Sequence, residues 1–368
     1  MKKVQWKIWA LLPVAAIWLG LAVWCWLRPG DAVSYTERRE LAQFPTVSTE
    51  SLMDGSFMKD FESYTLDQFP LRDGFRHLKA RVHYNILQQR DNNGIYLAEN
   101  QAAKLEYPLS ENSVIHATNV LRSAWEKYFP DSRVYAAVVP DKGYYLAQKN
   151  GYPAMDYGKL EQTFRDGLSF ANYVNLTDLL SSADYYATDT HWRQERLIPV
   201  AQRLCDAMGV PGPDGEGEGF REVTLSSPFY GVYYGQGALP MAADKLTYLE
   251  SPRLERCRVY HFETDSYKSV YDLSKEDGKD LYEVFLSGSV SLLTIEDPYA
   301  QTDRELIVFR DSFGSSLAPL LVQGYKSVTL VDIRYISSAM LDRFLDFHGQ
   351  DVLFLYSTLV LNNSQQLR

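Results

Sequence analysis

Four short apolar runs set the limits on what this chain can fold into. They are Val134–Val139 (VYAAVV), Leu306–Phe309 (LIVF), Val328–Ile333 (VTLVDI) and Val352–Tyr356 (VLFLY). Each is too short for a buried helix, lacks the apolar–polar alternation of a half-exposed strand, and ends at polar or turn-forming residues. Such runs are strands buried on both faces, which requires a parallel sheet covered by helices. Helical periodicity fills the spaces between them: 112–129, Tyr157–Leu168, Arg193–Met208, Ser315–Gln323 and Ala339–Phe347. Tyr173–Leu180 reads as a weaker strand. The pattern predicts an α/β fold with an open parallel sheet and helices on both faces. Ligands of such sheets bind beyond the carboxyl ends of the strands.

The N-terminus carries a different signal. Ile8 to Leu27 contains no charged side chain, and Lys2, Lys3 and Lys7 precede it. About 20 helical residues at 1.5 Å each span a hydrocarbon core of about 30 Å. The expectation is a cytoplasmic stub over 1–7, a transmembrane helix over 8–27 and everything after Arg28 outside the cytoplasm. A cleaved signal peptide is the alternative. It needs a shorter apolar core and small residues at the cut, and Trp24-Cys25-Trp26-Leu27 offers none.

Residues 28–105 read as a helical lead-in, broken at Pro70. The stretch PGPDGEGEG (211–219) separates two later portions, and 220–300 is rich in β-branched and aromatic residues. A β-rich insertion over about 213–300 within a domain spanning 106–368 follows. Thirty-seven basic residues against 47 acidic ones give a net charge of −10, which argues against a nucleic-acid partner. Three cysteines in 368 residues exclude a disulfide scaffold and a multi-cysteine metal site. Only Cys205 and Cys257 lie where they could pair.

Two segments carry candidate chemistry. In Tyr186-Ala187-Thr188-Asp189-Thr190-His191-Trp192, a carboxylate stands two positions from an imidazole. In an extended loop the two side chains point the same way, so Asp189 can fix the tautomer of His191 and stabilise its charged form. In Phe309-Arg310-Asp311-Ser312-Phe313, a hydroxyl stands just past the end of an apolar strand and just before a helix. The N–H groups that follow are suited to hold an oxyanion. Taken singly, each segment also reads as a helix cap. Asp189 and His191 would also supply two metal ligands, with no third nearby in sequence. Taken together, Asp189, His191 and Ser312 all fall at strand-to-helix switches on one sheet edge, as a Ser–His–Asp set requires.

These segments resemble the DHHW/AlgX–AlgJ family of exported SGNH-hydrolase-like proteins. The resemblance also takes in Glu37-Arg38-Arg39-Glu40-Leu41-Ala42-Gln43-Phe44-Pro45, Asp67-Gln68-Phe69-Pro70-Leu71-Arg72-Asp73, Val139-Pro140-Asp141-Lys142 and Asp332-Ile333-Arg334-Tyr335. It implies a flavodoxin-like, SGNH hydrolase-like sheet with a permuted triad: Ser312 as nucleophile, His191 as general base and Asp189 as its orienter. It implies an acetyltransferase acting on a cell-envelope or extracellular polysaccharide. A multi-span membrane O-acyltransferase would be the acetyl donor, and no cofactor or metal is called for. An acetylesterase and a non-catalytic polysaccharide-binding protein are the alternatives. Arg310 departs from the pattern, because it stands where the wider superfamily has the Gly of Gly-Asp-Ser.

Asp311, Lys142, Arg334 and Tyr335 are further candidates for the substrate pocket. Lys142 would greet an anionic sugar or cover the surface, and Arg334 and Tyr335 would line the pocket or make structural contacts. Gly143 and Asn362 are the nearest candidates for further oxyanion donors. The Tyr-rich stretch 229–237 is suited either to stacking on sugar rings or to core packing.

Overall fold

The computed structural model describes residues 2–213 and 219–368, with side chains from Leu11 onward. The middle of the 211–219 loop lies outside the described residues. Contacts divide the chain into two compact units, 2–93 with 234–240, and 94–233 with 241–368.

The second unit holds an eight-stranded sheet. Across it run Ser266–Lys268, Arg258–His261, Leu292–Glu296, Ser327–Val331, Glu305–Arg310, Asp351–Ser357, Val134–Val139 and Asn172–Tyr173. The last five are mutually parallel, and all four apolar runs lie among them. The first three join antiparallel, so the sheet is mixed rather than wholly parallel. These three strands come from the β-rich insertion. Of these, Leu292–Glu296 pairs with Ser327–Val331, which as the last parallel strand would otherwise expose a row of unpaired backbone groups.

Side chains alternate across the sheet and feed two cores. Leu306, Val308, Leu353 and Leu355 pack on one face against Val200 and Leu204 of the Ile198–Met208 helix and Leu317 and Leu321 of the Gly314–Leu321 helix. Ile307, Phe309, Val352 and Phe354 pack on the other against Val114 and Leu121 of the Glu111–Tyr128 helix and Leu160 and Phe164 of the Tyr157–Gly167 helix. The three-layer arrangement matches the expectation. Local departures have local causes. The segment expected as a helix over 339–347 forms only a short 3-10 turn, Ser338–Arg343. Expected helix at 95–104 is instead a hairpin, Ile95–Ala98 with Gln101–Lys104. Glu99 and Asn100 at its tip both take positive φ, 52° and 62°, as a tight two-residue turn requires.

The first unit is helical at Ser56–Asp67 and Arg72–Arg81. Its two sequence motifs meet in one ion-pair network: Glu37 lies 2.6 Å from Arg72 and 3.1 Å from Arg76, and Arg39 binds Asp67. That arginine holds the Asp67 carboxyl below its usual range. The N-terminal residues form a helix, Lys2–Leu27. The expected membrane span over 8–27 is not supported, because among the described residues no helix is long and apolar enough to cross a membrane. The side chains of 8–10, and those of the 1–7 stub, lie outside the described residues.

Candidate active site

The turn that carries Asp189 and His191 is closed at its base. Tyr185 and Trp192 pair as an isolated antiparallel bridge, and the Tyr186 N–H donates to His191 O at 3.1 Å. Inside the turn, Asp189 Oδ1 accepts from the His191 backbone N–H at 3.0 Å and lies 2.6 Å from His191 Nδ1. The other carboxylate oxygen, Oδ2, accepts from the Val232 N–H at 2.7 Å. Asp189 therefore caps no helix. The next helix begins at Ile198, with Pro199 in its first turn.

His191 Nε2 lies 2.8 Å from Ser312 Oγ. A carboxylate only accepts, so Nδ1 carries the proton of the neutral ring. Nε2 is then the acceptor, and the Ser312 hydroxyl donates to it. The ring is held flat against Tyr282, with centroids 3.8 Å apart and planes 9° from parallel, and Phe313 packs beside it. Asp189 is fully buried, His191 is 7% exposed and Ser312 is half-buried. The three groups thus form one line from the interior to an accessible hydroxyl.

Ser312 occupies the sharp turn between the Glu305–Arg310 strand and the Gly314–Leu321 helix. It does not cap that helix, whose N-cap is Phe313 with no side-chain bond. Asp311 shapes the turn. Its Oδ1 accepts from Phe313 N–H at 3.0 Å, and its Oδ2 from Ser357 N–H at 2.7 Å. The Gly314 N–H donates to Asp311 O. The donors expected just after Ser312 are therefore engaged. The backbone N–H of Ser312 itself has no acceptor among the described residues.

Several expectations are corrected. Gly143 N–H donates to Asp141 Oδ1 at 2.6 Å, and Asn362 Nδ2 donates to Pro108 O at 3.3 Å and Glu106 Oε2 at 3.5 Å, so both donors are engaged elsewhere. Asp311 spends both oxygens on backbone, as above. Arg334 makes a two-pronged pair with Asp332, at 2.8 and 2.6 Å, and its guanidinium lies over the exposed ring of Tyr335. Arg310 is buried on the other side of Asp332, 3.6 Å away. Burial pulls the Arg310 guanidinium down from its usual range. Lys142 neither covers the surface nor reaches a solvent-facing pocket, since it is 2% exposed. Within the Tyr-rich stretch, Phe229 and Tyr233 are core residues, and the Tyr233 hydroxyl binds Thr190 at 3.0 Å. The metal reading finds no third ligand: among the described residues no group of three or more His, Cys, Asp or Glu is placed to hold an ion. Cys205 and Cys257 are buried thiols.

Most of the residues that brace this site carry no functional signal in the sequence. Asp244 accepts from the N–H groups of Ala187 and Thr188, at 2.9 and 2.8 Å, and from the Thr188 hydroxyl. Gly231 lies so close to Asp189 that a Cβ there would fall 2.3 Å from the Asp189 Cβ. Only glycine allows that approach. Trp192 Nε1 donates to Phe313 O and Ser316 Oγ, at 3.1 and 2.9 Å, and Tyr282 Oη lies 2.8 Å from the same Ser316 oxygen. Gln194 Nε2 donates to Ser316 O at 2.8 Å. These buried bonds tie the His191 turn to the Ser312 helix and so fix the spacing of imidazole and hydroxyl. Gly231, inside the stretch read for its aromatics, and Thr188 and Trp192, beside Asp189 and His191, fall in segments that the sequence marks; Asp244, Gln194, Tyr282 and Ser316 do not.

No protein-family model matches the chain, and no curated protein matches it in sequence. Solved structures do. A DHHW family protein from Eubacterium siraeum aligns with TM-score 0.56 at 19% identity, covering 75% of this chain and 95% of its own. PatB1 of Bacillus cereus, in a structure with a sulfonyl adduct, aligns with TM-score 0.56 at 15% identity, covering 73% and 94%. The O-acetyltransferase domain of Pseudomonas putida AlgJ aligns with TM-score 0.45 at 14% identity, covering 73% and 92%. The fold implied by the sequence motifs is thus the fold of a DHHW family protein.

Proposed function

We propose that this chain is a serine acyltransferase of the SGNH-like kind that moves acetyl groups onto polysaccharide hydroxyls. The observation that carries the reading is the unbroken hydrogen-bonded line from Ser312 Oγ through both nitrogens of His191 to Asp189, at 2.8 and 2.6 Å. A nucleophile, its base and the base's orienter require three such groups in that order.

In the first half-reaction, Ser312 Oγ attacks the acetyl carbonyl of the donor as its proton passes to His191 Nε2. Asp189 stabilises the resulting imidazolium, and the Ser312 N–H binds the oxyanion. His191 then gives its proton to the departing oxygen, leaving acetyl-Ser312. In the second half, His191 takes the proton of an acceptor hydroxyl as its oxygen attacks the acetyl carbonyl, and then gives that proton to Ser312 Oγ as the acyl–Oγ bond breaks. Water in place of the sugar hydroxyl gives an esterase from the same residues. The acetyl direction, the polysaccharide acceptor, a membrane O-acyltransferase as donor and a location outside the cytoplasm rest on the motif resemblance. The sulfonyl adduct in the PatB1 structure adds support, because such adducts form on activated nucleophiles.

An artificial acetyl ester offered to residues 31–368, with and without an oligosaccharide acceptor, tests the reading. Acetate release or sugar acetylation that disappears in Ser312→Ala is the expected result. A folded, sugar-binding but inert protein overturns it in favour of a binding module.

A further inference from the structure

Lys142 follows the Val134–Val139 strand and turns inward rather than toward solvent. Its Nζ donates to Tyr186 O at 2.9 Å and Ala187 O at 3.2 Å, the last carbonyls before Thr188 and Asp189. The Tyr233 ring lies 5.2 Å from the same nitrogen. Three acids face it: Asp189 from the His191 turn, Asp244 from the Asp244–Glu250 strand and Asp141 from its own loop. Asp141 is itself held by the Thr358 hydroxyl, Gly143 N–H and the Tyr157 hydroxyl. Lys142 is the one cation among these groups.

We propose that Lys142 is a positioning residue for the chemistry at Ser312: its ammonium pins the backbone of the His191 turn and supplies the positive charge against which the Asp189–His191 pair is set. An apolar side chain of the same volume would leave the buried Tyr186 carbonyl without a donor, would leave the Ala187 carbonyl with the Ala102 N–H alone, and would remove a positive charge from beside three acids. Burial opposes the charge and brings the lysine down to about 7, while Asp189, Asp244 and Asp141 pull the other way. The ammonium is therefore present through the acid range, where imidazoles ordinarily titrate. A cation acting on Asp189 weakens that carboxylate's hold on a charged imidazole. Removing it lets the ring hold its proton to higher pH, and the rate then falls off sooner on acidification.

The catalytic consequence rests on the acyl-transfer reading, but the electrostatics do not. The test is therefore the NMR titration of the His191 ring in histidine-labelled, full-length protein, which requires no turnover. Its signal is identified by its loss in His191→Gln. Lys142→Gln keeps N–H donors for the two carbonyls and drops the charge; Lys142→Met drops both; Lys142→Arg keeps the charge. The expected result is a His191 midpoint about one pH unit higher in the Gln variant, and in the Met variant if it folds, with the Arg variant within a few tenths of wild type. A wild-type midpoint in folded Lys142→Gln overturns the proposal. So does an Arg variant that moves as far as the Gln variant, which would leave Lys142 a packing role alone.

Discussion

Asp189 Oδ2 accepts the backbone N–H of Val232 at 2.7 Å, so a residue 43 positions along the chain locks the carboxylate that orients His191. With one oxygen fixed from outside the turn and the other shared by His191 Nδ1 and N, the carboxylate cannot rotate. An amide in its place presents an N–H group either to Val232 N–H, which repels it, or to His191 Nδ1, which then must accept. The second arrangement moves the ring proton to Nε2 and removes the base from Ser312. Asp189→Asn is expected to slow ester cleavage by about 10³–10⁴-fold with a modest change in melting temperature. Steady-state kinetics together with a thermal melt separate this from simple unfolding.

Asp244 braces the same turn from the opposite side. Asp244→Ala strands the N–H groups of Ala187 and Thr188 and the Thr188 hydroxyl, which all bond to it. Charge-assisted bonds of this kind make the expected loss about 2–4 kcal/mol. Urea unfolding measures it, and the ester-cleavage rate is expected to fall at temperatures where the variant is still folded.

Asp332 stands fully buried between two arginines, with Arg334 at 2.6 Å and Arg310 at 3.6 Å. Asp332→Asn removes the carboxylate that both guanidiniums pair with and leaves them the more distant Asp311 charge, at an expected cost of about 3–5 kcal/mol. A double variant that also replaces Arg310 by Met is expected to recover part of that loss. Denaturation midpoints of the single and double variants decide it.

Lys142 predicts a pH dependence of stability whose sign follows from linkage. Its folded value is about 7, below the roughly 10.4 of an unfolded lysine. Between those limits the unfolded chain binds more protons, so stability rises with pH. The free energy of unfolding of wild type relative to Lys142→Met is expected to climb by a few kcal/mol from about pH 7 to pH 10 and to stay level below pH 6. A flat difference across that range contradicts a buried, neutralising lysine.

Part of this molecule could be read before it was seen. The four apolar runs predicted the parallel strands because burial on both faces leaves no freedom in residue type. The Asp-x-His and Asp-Ser pairs were visible because their chemistry is local. What stayed hidden depended on contacts between distant segments. Asp244 and Val232 serve Asp189 through bonds that no spacing announces. The antiparallel strands Arg258–His261 and Leu292–Glu296 resemble any hairpin strands until Leu292–Glu296 finds Ser327–Val331. Lys142 was misplaced because lysine is nearly always exposed, and only three acids on three segments keep this one inside.

The most direct test is covalent. Phenylmethanesulfonyl fluoride reacts with a serine hydroxyl only when a base removes its proton, and intact-mass and peptide analysis locate the product. The account predicts one sulfonyl group per chain, on Ser312, absent in Ser312→Ala and slowed by at least about 100-fold in His191→Gln. A folded wild-type protein that stays unlabelled, or that labels equally fast without His191, contradicts it.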